Sequence, residues 1–444
     1  MTDFDLKVDS ETGQLYAEDP ETGDRQPVPF DEIGVNNAGV GSLDADSVNT
    51  EVARIGSVDA KGFQSGYSLS VGGPLSASEP FEFRTDNQLI PKAQLINPED
   101  LSVTHTLFAN GDDDLYIIND KGQLEHLGEA TSTSGLAIDY VGNILVVESN
   151  VGEDWNIAKY YTSVSNMESD SPTHTLDPCF SARDFSHVSM LDRSDSDHST
   201  GVIMWAEYTP DDYESRIIKV SSDEVGFTTQ LSLPDSEVRH FHSLDADVWN
   251  EGEYWATTGD SEDECRFYRS TDYGETWTEE AGGSLKYKTL RLNFGPDYVY
   301  WGLDARIDGS VRFYRAPRDD VENPEEIIDF GETPWGDYGS SLIYGSTYVE
   351  RPHGIVIPLF GVTTTSQQWE EMPIFFWDIE QETLRRIFDL PVRALGSGNP
   401  QGIRNIAPFV DQNTNKIYSR ARRVDQWRDE LDLGLTFEMN QLNM

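Results

Sequence analysis

From residue 100 onward the chain alternates two kinds of hairpin, and this repeat constrains the fold more than any other feature. The first kind is long and apolar with small residues inside. It recurs at 135–138 with 144–147, 187–190 with 202–205, 242–244 with 254–256, 289–291 with 299–301, 341–343 with 355–357, and 403–406 with 416–418. The second kind is amphipathic and ends on polar turns. It falls at 114–118 with 123–127, 156–160 with 174–176, 216–220 with 230–233, 266–269 with 277–280, 311–314 with 327–330, and 374–377 with 386–388. A propeller blade needs an inner pair that is buried and an outer pair that faces solvent, so the alternation predicts an all-β chain: a six-bladed β-propeller of four-stranded blades. The first hairpin is an outer one and the last an inner one. Pairing them closes the ring without exposed edges. A seventh blade would need strands from 90–112 or 424–444, and both read as too polar. The expected organisation is an acidic hairpin arm at 1–35, a Gly/Ser-rich attachment or oligomerisation segment at 36–95, the propeller at 96–425 and a tail at 426–444.

The stretch Ser270-Thr271-Asp272-Tyr273-Gly274-Glu275-Thr276-Trp277 sits inside one outer hairpin. An Asp side chain can hold the N–H groups of its own turn, Gly supplies the φ > 0 needed to close it, and Trp277 anchors it from below. It resembles the Asp box, Ser/Thr-x-Asp-x-Gly-x-Thr-Trp, found between the third and fourth strands of sialidase-like β-propeller blades. The resemblance implies a structural role for Ser270, Asp272, Gly274 and Trp277, on the side away from the ligand-binding end. The sialidase chemistry does not follow. Such sites use an Arg-Ile-Pro and three arginines clamping a carboxylate. Here Arg216-Ile217-Ile218 and Arg54-Ile55-Gly56 do not substitute, and Arg306, Arg351, Arg393 and Arg404 are scattered.

The N-terminal stretch has its own signature. Small polar residues dominate 36–73, with too few large apolar side chains to bury a core alone. The run Leu43-Asp44-Ala45-Asp46-Ser47-Val48-Asn49-Thr50-Glu51 is similar to the attachment segments of haloarchaeal tailed-virus structural proteins of the tail-fibre, receptor-binding type; on composition alone it is a flexible linker. The resemblance implies assembly with other virion proteins, a homo-oligomer (a trimer) and a place on the outside of a particle. Net charge supports the setting: 80 acidic residues stand against 32 basic ones, giving −48, and only 9 of the basic residues are lysine. So uniform an excess suits molar salt, where repulsion is screened within about 3 Å. It also excludes duplex nucleic acid as a partner, since that binding rests on Lys and Arg. No apolar run is long enough to span a bilayer, so no membrane insertion is expected. The N-terminus shows neither a basic nor an apolar signal region. Cys179 and Cys265 lie in no metal-binding spacing and read as two buried free thiols, with a disulfide as the alternative.

Propeller function gathers where the loops between blades and between second and third strands converge. In those loops the candidate ligand-binding residues are Trp155, Asp212, Tyr213, His240 and Asp260, followed by Trp335, Tyr338, Gln368, Trp369 and Asn399. Aromatic faces beside carboxylates and amides suit sugars, stacking on C–H faces while polar groups fix hydroxyls. His240-Phe241-His242 is a pair at strand spacing, with both side chains on one strand face towards the channel. Without a third ligand it reads as a buried, hydrogen-bonded core pair. No cofactor is required. The acidic shell can recruit Na⁺, Mg²⁺ or Ca²⁺, yet no Asp-x-Asp-x-Asp-Gly loop marks a site. No catalytic residue can be assigned. The expected function is a non-catalytic virion protein binding a host surface glycan or S-layer glycoprotein. The alternatives are a glycan-cleaving hydrolase on the same propeller and an architectural capsid or tail decoration.

Overall fold

A computed structural model describes residues 133–139, 142–150, 152–180, 202–221, 226–247, 249–349, 353–361 and 371–391, and elsewhere the individual strands named below. The chain divides into two units, Met1–Arg54 and Ile55–Met444. Within the first, Asp5–Val8, Leu15–Glu18 and Arg25–Pro27 form a three-stranded antiparallel sheet in chain order.

The second unit is a β-propeller. Blade 2 consists of Thr133–Ile138, Ile144–Ser149, Asn156–Tyr161 and His174–Cys179. Blade 3 consists of Val188–Met190, Val202–Ala206, Ser215–Ser221 and Phe227–Leu233. Blade 4 follows with Phe241–Ala246, Tyr254–Thr258, Arg266–Ser270 and Thr278–Gly282, and blade 5 with Leu292–Phe294, Tyr298–Gly302, Arg312–Pro317 and Glu325–Asp329. The two hairpin types differ for the reason foreseen. Ile144–Val147 and Tyr254–Thr258 are buried on both faces, whereas the fourth strand Phe227–Leu233 leaves most of its side chains partly or fully exposed. Successive blades press their faces together. One apolar cluster joins blades 4, 5 and 6 around Trp255, Trp301, Phe313 and Phe375, and another joins blades 1, 2 and 3 around Leu107, Leu145 and Tyr160.

The blade count and the closure differ from the expectation. The hairpin at 114–127 is not an orphan: Ile90–Ile96 and Val103–Ala109 supply its inner strands, and with Asp114–Ile118 and Leu124–Glu129 they make a complete blade 1. Nor does the hairpin at 403–418 pair with it. Gln401–Ile406 and Lys416–Arg422 gain Asp432–Glu438 from the expected tail and Phe81–Arg84 from the expected attachment segment, with Ser68–Val71 continuing the sheet. Leu435 faces Phe83 and Thr436 faces Glu82 in that closing pair. The described strands therefore form seven blades rather than six, and the propeller strands run beyond 96–425 at both ends. Strands of blade 7 lie against Ile90–Ile96 and complete the ring. The physical reason is that a propeller strand need not be strongly apolar. Asp432–Glu438 alternates Leu433, Leu435 and Phe437 with polar residues, which suits a strand with one apolar face.

Blade 6 corrects one further hairpin. Its inner pair is Thr347–Val349 with Gly354–Pro358, followed by Glu371–Asp378 and Thr383–Pro391. Ser341–Leu342, the expected inner strand, pairs instead with Phe360–Gly361 on the inner side of blade 7's sheet. Ile343 is tied to blade 5 by its N–H donating to the Leu303 carbonyl at 2.9 Å.

Candidate functional site

The second-to-third-strand loops and the connections between blades emerge at one end of the blades, as a four-stranded antiparallel sheet requires. At that end, four segments of blades 3, 4 and 5 meet around one carboxylate. The 207–214 loop of blade 3 brings Tyr208 and Asp211; the connection into blade 4 brings Arg239 and His240; the loop 259–265 brings Asp260; and the connection into blade 5 brings Lys288 and Thr289.

Asp260 lies at the centre. Its Oδ2 is 3.3 Å from His240 Nε2, and its Oδ1 is 3.4 Å from His242 Nε2. Arg239 Nη1 donates to Oδ2 at 3.1 Å, and Lys288 Nζ stands 3.6 Å from Oδ1 while donating to the Asp260 carbonyl at 2.9 Å. Contacts from His240 and then His242, against the penalty of burial, hold the Asp260 carboxyl well below the usual carboxylate range. The two imidazoles are fully buried, ring centres 5.2 Å apart, and the Tyr208 ring centre is 3.8 Å from that of His240. His242 Nδ1 lies 3.2 Å from the Thr289 carbonyl. Arg239 is itself anchored by Asp211 at 2.5 Å.

The sequence reading of the histidine pair holds in one respect and fails in another. Both are buried on the same side of the strand, despite a bulge between Phe241 and Ser243. The missing third group, however, is present: Asp260 arrives from a different loop. His240 Nε2, His242 Nε2 and an Asp260 oxygen lie within 4.8 Å of one another, and these residues form the His/Cys/Asp/Glu group among the described residues with the spacing to hold a metal ion. What sequence reasoning missed was the pairing of His240 and Asp260, two residues that it had already named separately.

The other candidates are dispersed. Tyr213, in the same loop as Tyr208, is exposed and packs edge-to-face on Phe180 at 4.9 Å; Asp212 beside it is exposed at φ 73°. Behind them Glu207 is buried and receives Arg216 through both carboxylate oxygens at 2.6 and 2.8 Å, and the Phe180 N–H at 2.8 Å. Burial pushes the Glu207 carboxyl up and Arg216 pulls it back. Trp155 is half-buried and donates its indole N–H to Asp177 at 3.1 Å. Trp335 and Tyr338 come together over Phe375 of blade 6, each 5.7 Å from its ring. Gln368, Trp369 and Asn399 lie outside the described residues.

The turn at 270–277 joins the third and fourth strands of blade 4. Asp272 accepts the Thr276 N–H at 2.8 Å and its hydroxyl at 2.5 Å, Ser270 Oγ accepts the Gly274 N–H at 2.9 Å, and Trp277 donates to the Gly274 carbonyl at 2.9 Å. Gly274 sits at φ 84°, with the Met204 sulfur where a Cβ would reach. Both cysteines are buried and free; burial pushes the Cys265 thiol up to about 12, with Lys288 pulling the other way.

No family model matches the chain, and no curated protein matches it in sequence. Among solved structures it is similar to a GH74 xyloglucanase from Xanthomonas campestris, with a TM-score of 0.48 and 8% identity over 80% of this chain and 55% of that one. It is similar to YCF48 bound to D1 peptide, with a TM-score of 0.45 and 10% identity over 79% and 94% of the two chains. It is also similar to the Trypanosoma rangeli sialidase, with a TM-score of 0.39 and 12% identity over 73% and 57%. The chain spans about half the length of the first of these and of a prolyl endopeptidase that it also resembles, covering 55% and 48% of them.

Proposed function

We propose that this protein is a non-catalytic binding module carried on a virus particle in a salt-rich environment. Its propeller recognises a glycan or glycoprotein on the host surface through the loop end of the blades. The observation that carries this reading is the pair of exposed aromatics. Tyr213 and Trp335 are each 39% exposed, the large hydrophobic side chains left in solvent among the described residues. Both belong to loops at the end where the Asp260 cluster lies. Exposed rings and charged groups at one end of the blades are what sugar binding uses, since a ring takes a C–H face and polar side chains order the hydroxyls. The net charge of −48 accords with a molar-salt setting. The turn at 270–277, bonded as an Asp box would be, accords with kinship to sialidase-like propellers. The resemblance of the run from Leu43 to Glu51 to viral attachment segments supplies the particle, and with it a trimeric assembly and a position on the virion exterior.

The test is binding of the full chain to halophilic cells in molar salt, before and after surface glycans are stripped. Saturable, glycan-dependent binding without sugar release is expected. Replacing Tyr213 and Trp335 together by Ala should weaken it about tenfold or more while the chain stays folded, its melting temperature lowered only by the lost packing on Phe180 and Phe375. Sugar release would favour the hydrolase. Incorporation into particles without any cell binding would favour decoration.

A further inference from the structure

We infer that His240, His242 and Asp260 form a binding site for a divalent transition-metal ion of the zinc type, with its remaining coordination positions open toward the loop end. The inference stands apart from the receptor reading, because it concerns what these three side chains hold and not what the propeller binds.

The distances suit ligands of one ion and are long for hydrogen-bond partners. Zinc sits about 2.0–2.2 Å from imidazole nitrogen and carboxylate oxygen, which makes a tetrahedral edge of roughly 3.4 Å between neighbouring ligand atoms. Asp260 Oδ2 is 3.3 Å from His240 Nε2 and Oδ1 is 3.4 Å from His242 Nε2, and one ligand atom from each residue lies within 4.8 Å of the others. Both N···O distances lie beyond the usual 2.7–3.2 Å of an N–H···O bond. The two imidazoles approach different oxygens of the carboxylate, so each side of the carboxylate faces a nitrogen ligand.

Two observations beyond the spacing point to a ligand. His240 is fully buried, and neither ring nitrogen makes a hydrogen bond of good geometry: Nδ1 has no partner and Nε2 meets only the Asp260 carboxylate, at 3.3 Å. A buried imidazole left in that state is costly, and an ion on Nε2 removes much of the cost. His242, in turn, has the support that metal-bound histidines use. The Thr289 carbonyl can only accept, so a bond to it puts the proton on Nδ1 and leaves Nε2 of the neutral ring as a lone pair on the Asp260 side. Two imidazoles with one carboxylate suit zinc, cobalt or ferrous iron better than Ca²⁺ or Mg²⁺, which prefer all-oxygen shells.

The flanking charges set the character of the site. Arg239 and Lys288 both approach Asp260, and their charge opposes a cation there; Asp211 offsets Arg239 at 2.5 Å. Access is from the Asp260 side, which is 34% exposed, whereas both histidines are closed off.

The test uses the full chain, stripped of metal by a chelator and then titrated with Zn²⁺ and, as a spectroscopic probe, Co²⁺. One ion per chain is expected, with a Co²⁺ visible spectrum characteristic of a site of low coordination number and a melting temperature that rises with ion concentration. His242→Gln and Asp260→Asn should each weaken binding by more than the roughly 10–100-fold that loss of a supporting group causes. Near-ultraviolet circular dichroism of each variant checks that the propeller has folded. Should His242→Gln misfold, Asp260→Asn, at the exposed edge, carries the test alone. Failure of the wild-type chain to take up a stoichiometric ion overturns the assignment, as does binding that a folded Asp260→Asn chain retains undiminished.

Discussion

At the scale of single residues, the cluster depends on a glycine. Gly259 has φ 93°, and a Cβ there would lie 2.3 Å from the backbone of Glu264 across the loop that carries Asp260. Neither the dihedral nor the close approach tolerates a side chain. Gly259→Ala should therefore cost about 1–3 kcal/mol, read as a lowered denaturant midpoint, because the clash is with backbone that cannot rotate away. It should also loosen Asp260 from both histidines. Asp260 was legible in the sequence as a loop-end carboxylate, and His240 and His242 were legible as a pair on one strand face. Their meeting was not. Loop residues 18 and 20 positions from the pair, counted from 260 back to 242 and 240, carry no pattern that fixes where they point.

At the scale of an element, the turn at 270–277 shows local sequence specifying local structure. The bonds of Ser270, Asp272 and Trp277 that close it join residues at most four apart, so its form was readable without the rest of the chain. The Tyr273 N–H, donating to the Gly252 carbonyl at 3.0 Å, ties it to the neighbouring turn. Burial pushes the Asp272 carboxyl up, but donation from the Thr276 hydroxyl and N–H and from Ser270 outweighs it and leaves the group below its ordinary value. A depressed carboxyl contributes stability above its unfolded pKa, about 3.9, and loses it as pH falls through the lower folded value. Wild type should exceed Asp272→Asn by about 1 kcal/mol at neutral pH. The gap should close as the pH falls below about 4, in urea unfolding followed by tryptophan fluorescence. A gap that stays constant from pH 7 to pH 3 would show that the ionised form plays no part. The inner hairpin at 341–357 is the counter-example. Ser341–Leu342 and Thr347–Val349 are both short, and the choice between them was made by neighbours: Phe360–Gly361 captured the first and Gly354–Pro358 the second.

At the scale of the whole molecule, closure joins the two ends of the second unit. Blade 7 takes Phe81–Arg84 from before the ring and Asp432–Glu438 from after it, so the sheet that seals the propeller is assembled from distant segments. A chain of residues 55–444 should melt as the full-length protein does. One of residues 89–444, lacking the outer strand of blade 7, should melt several degrees lower, by on the order of 2–4 °C for each kcal/mol lost. Equal melting temperatures for all three would mean that Phe81–Arg84 adds nothing to closure. The acidic surface acts at the same scale: with a net charge of −48, self-repulsion opposes compaction until salt screens it, so these melts are compared at one fixed molar salt concentration.

What the sequence by itself determined was the alternation of buried and half-exposed hairpins, because a strand's burial is written in its own side chains and its turn in the residues beside it. That sufficed for four-stranded blades and for the turn at 270–277. The seventh blade, the strands that seal it and the union of His240, His242 and Asp260 were decided only by the tertiary structure. Each joins segments that are not neighbours in the chain, and a polar outer strand or a loop carboxylate gains its partner from the geometry of the closed ring rather than from any pattern of its own.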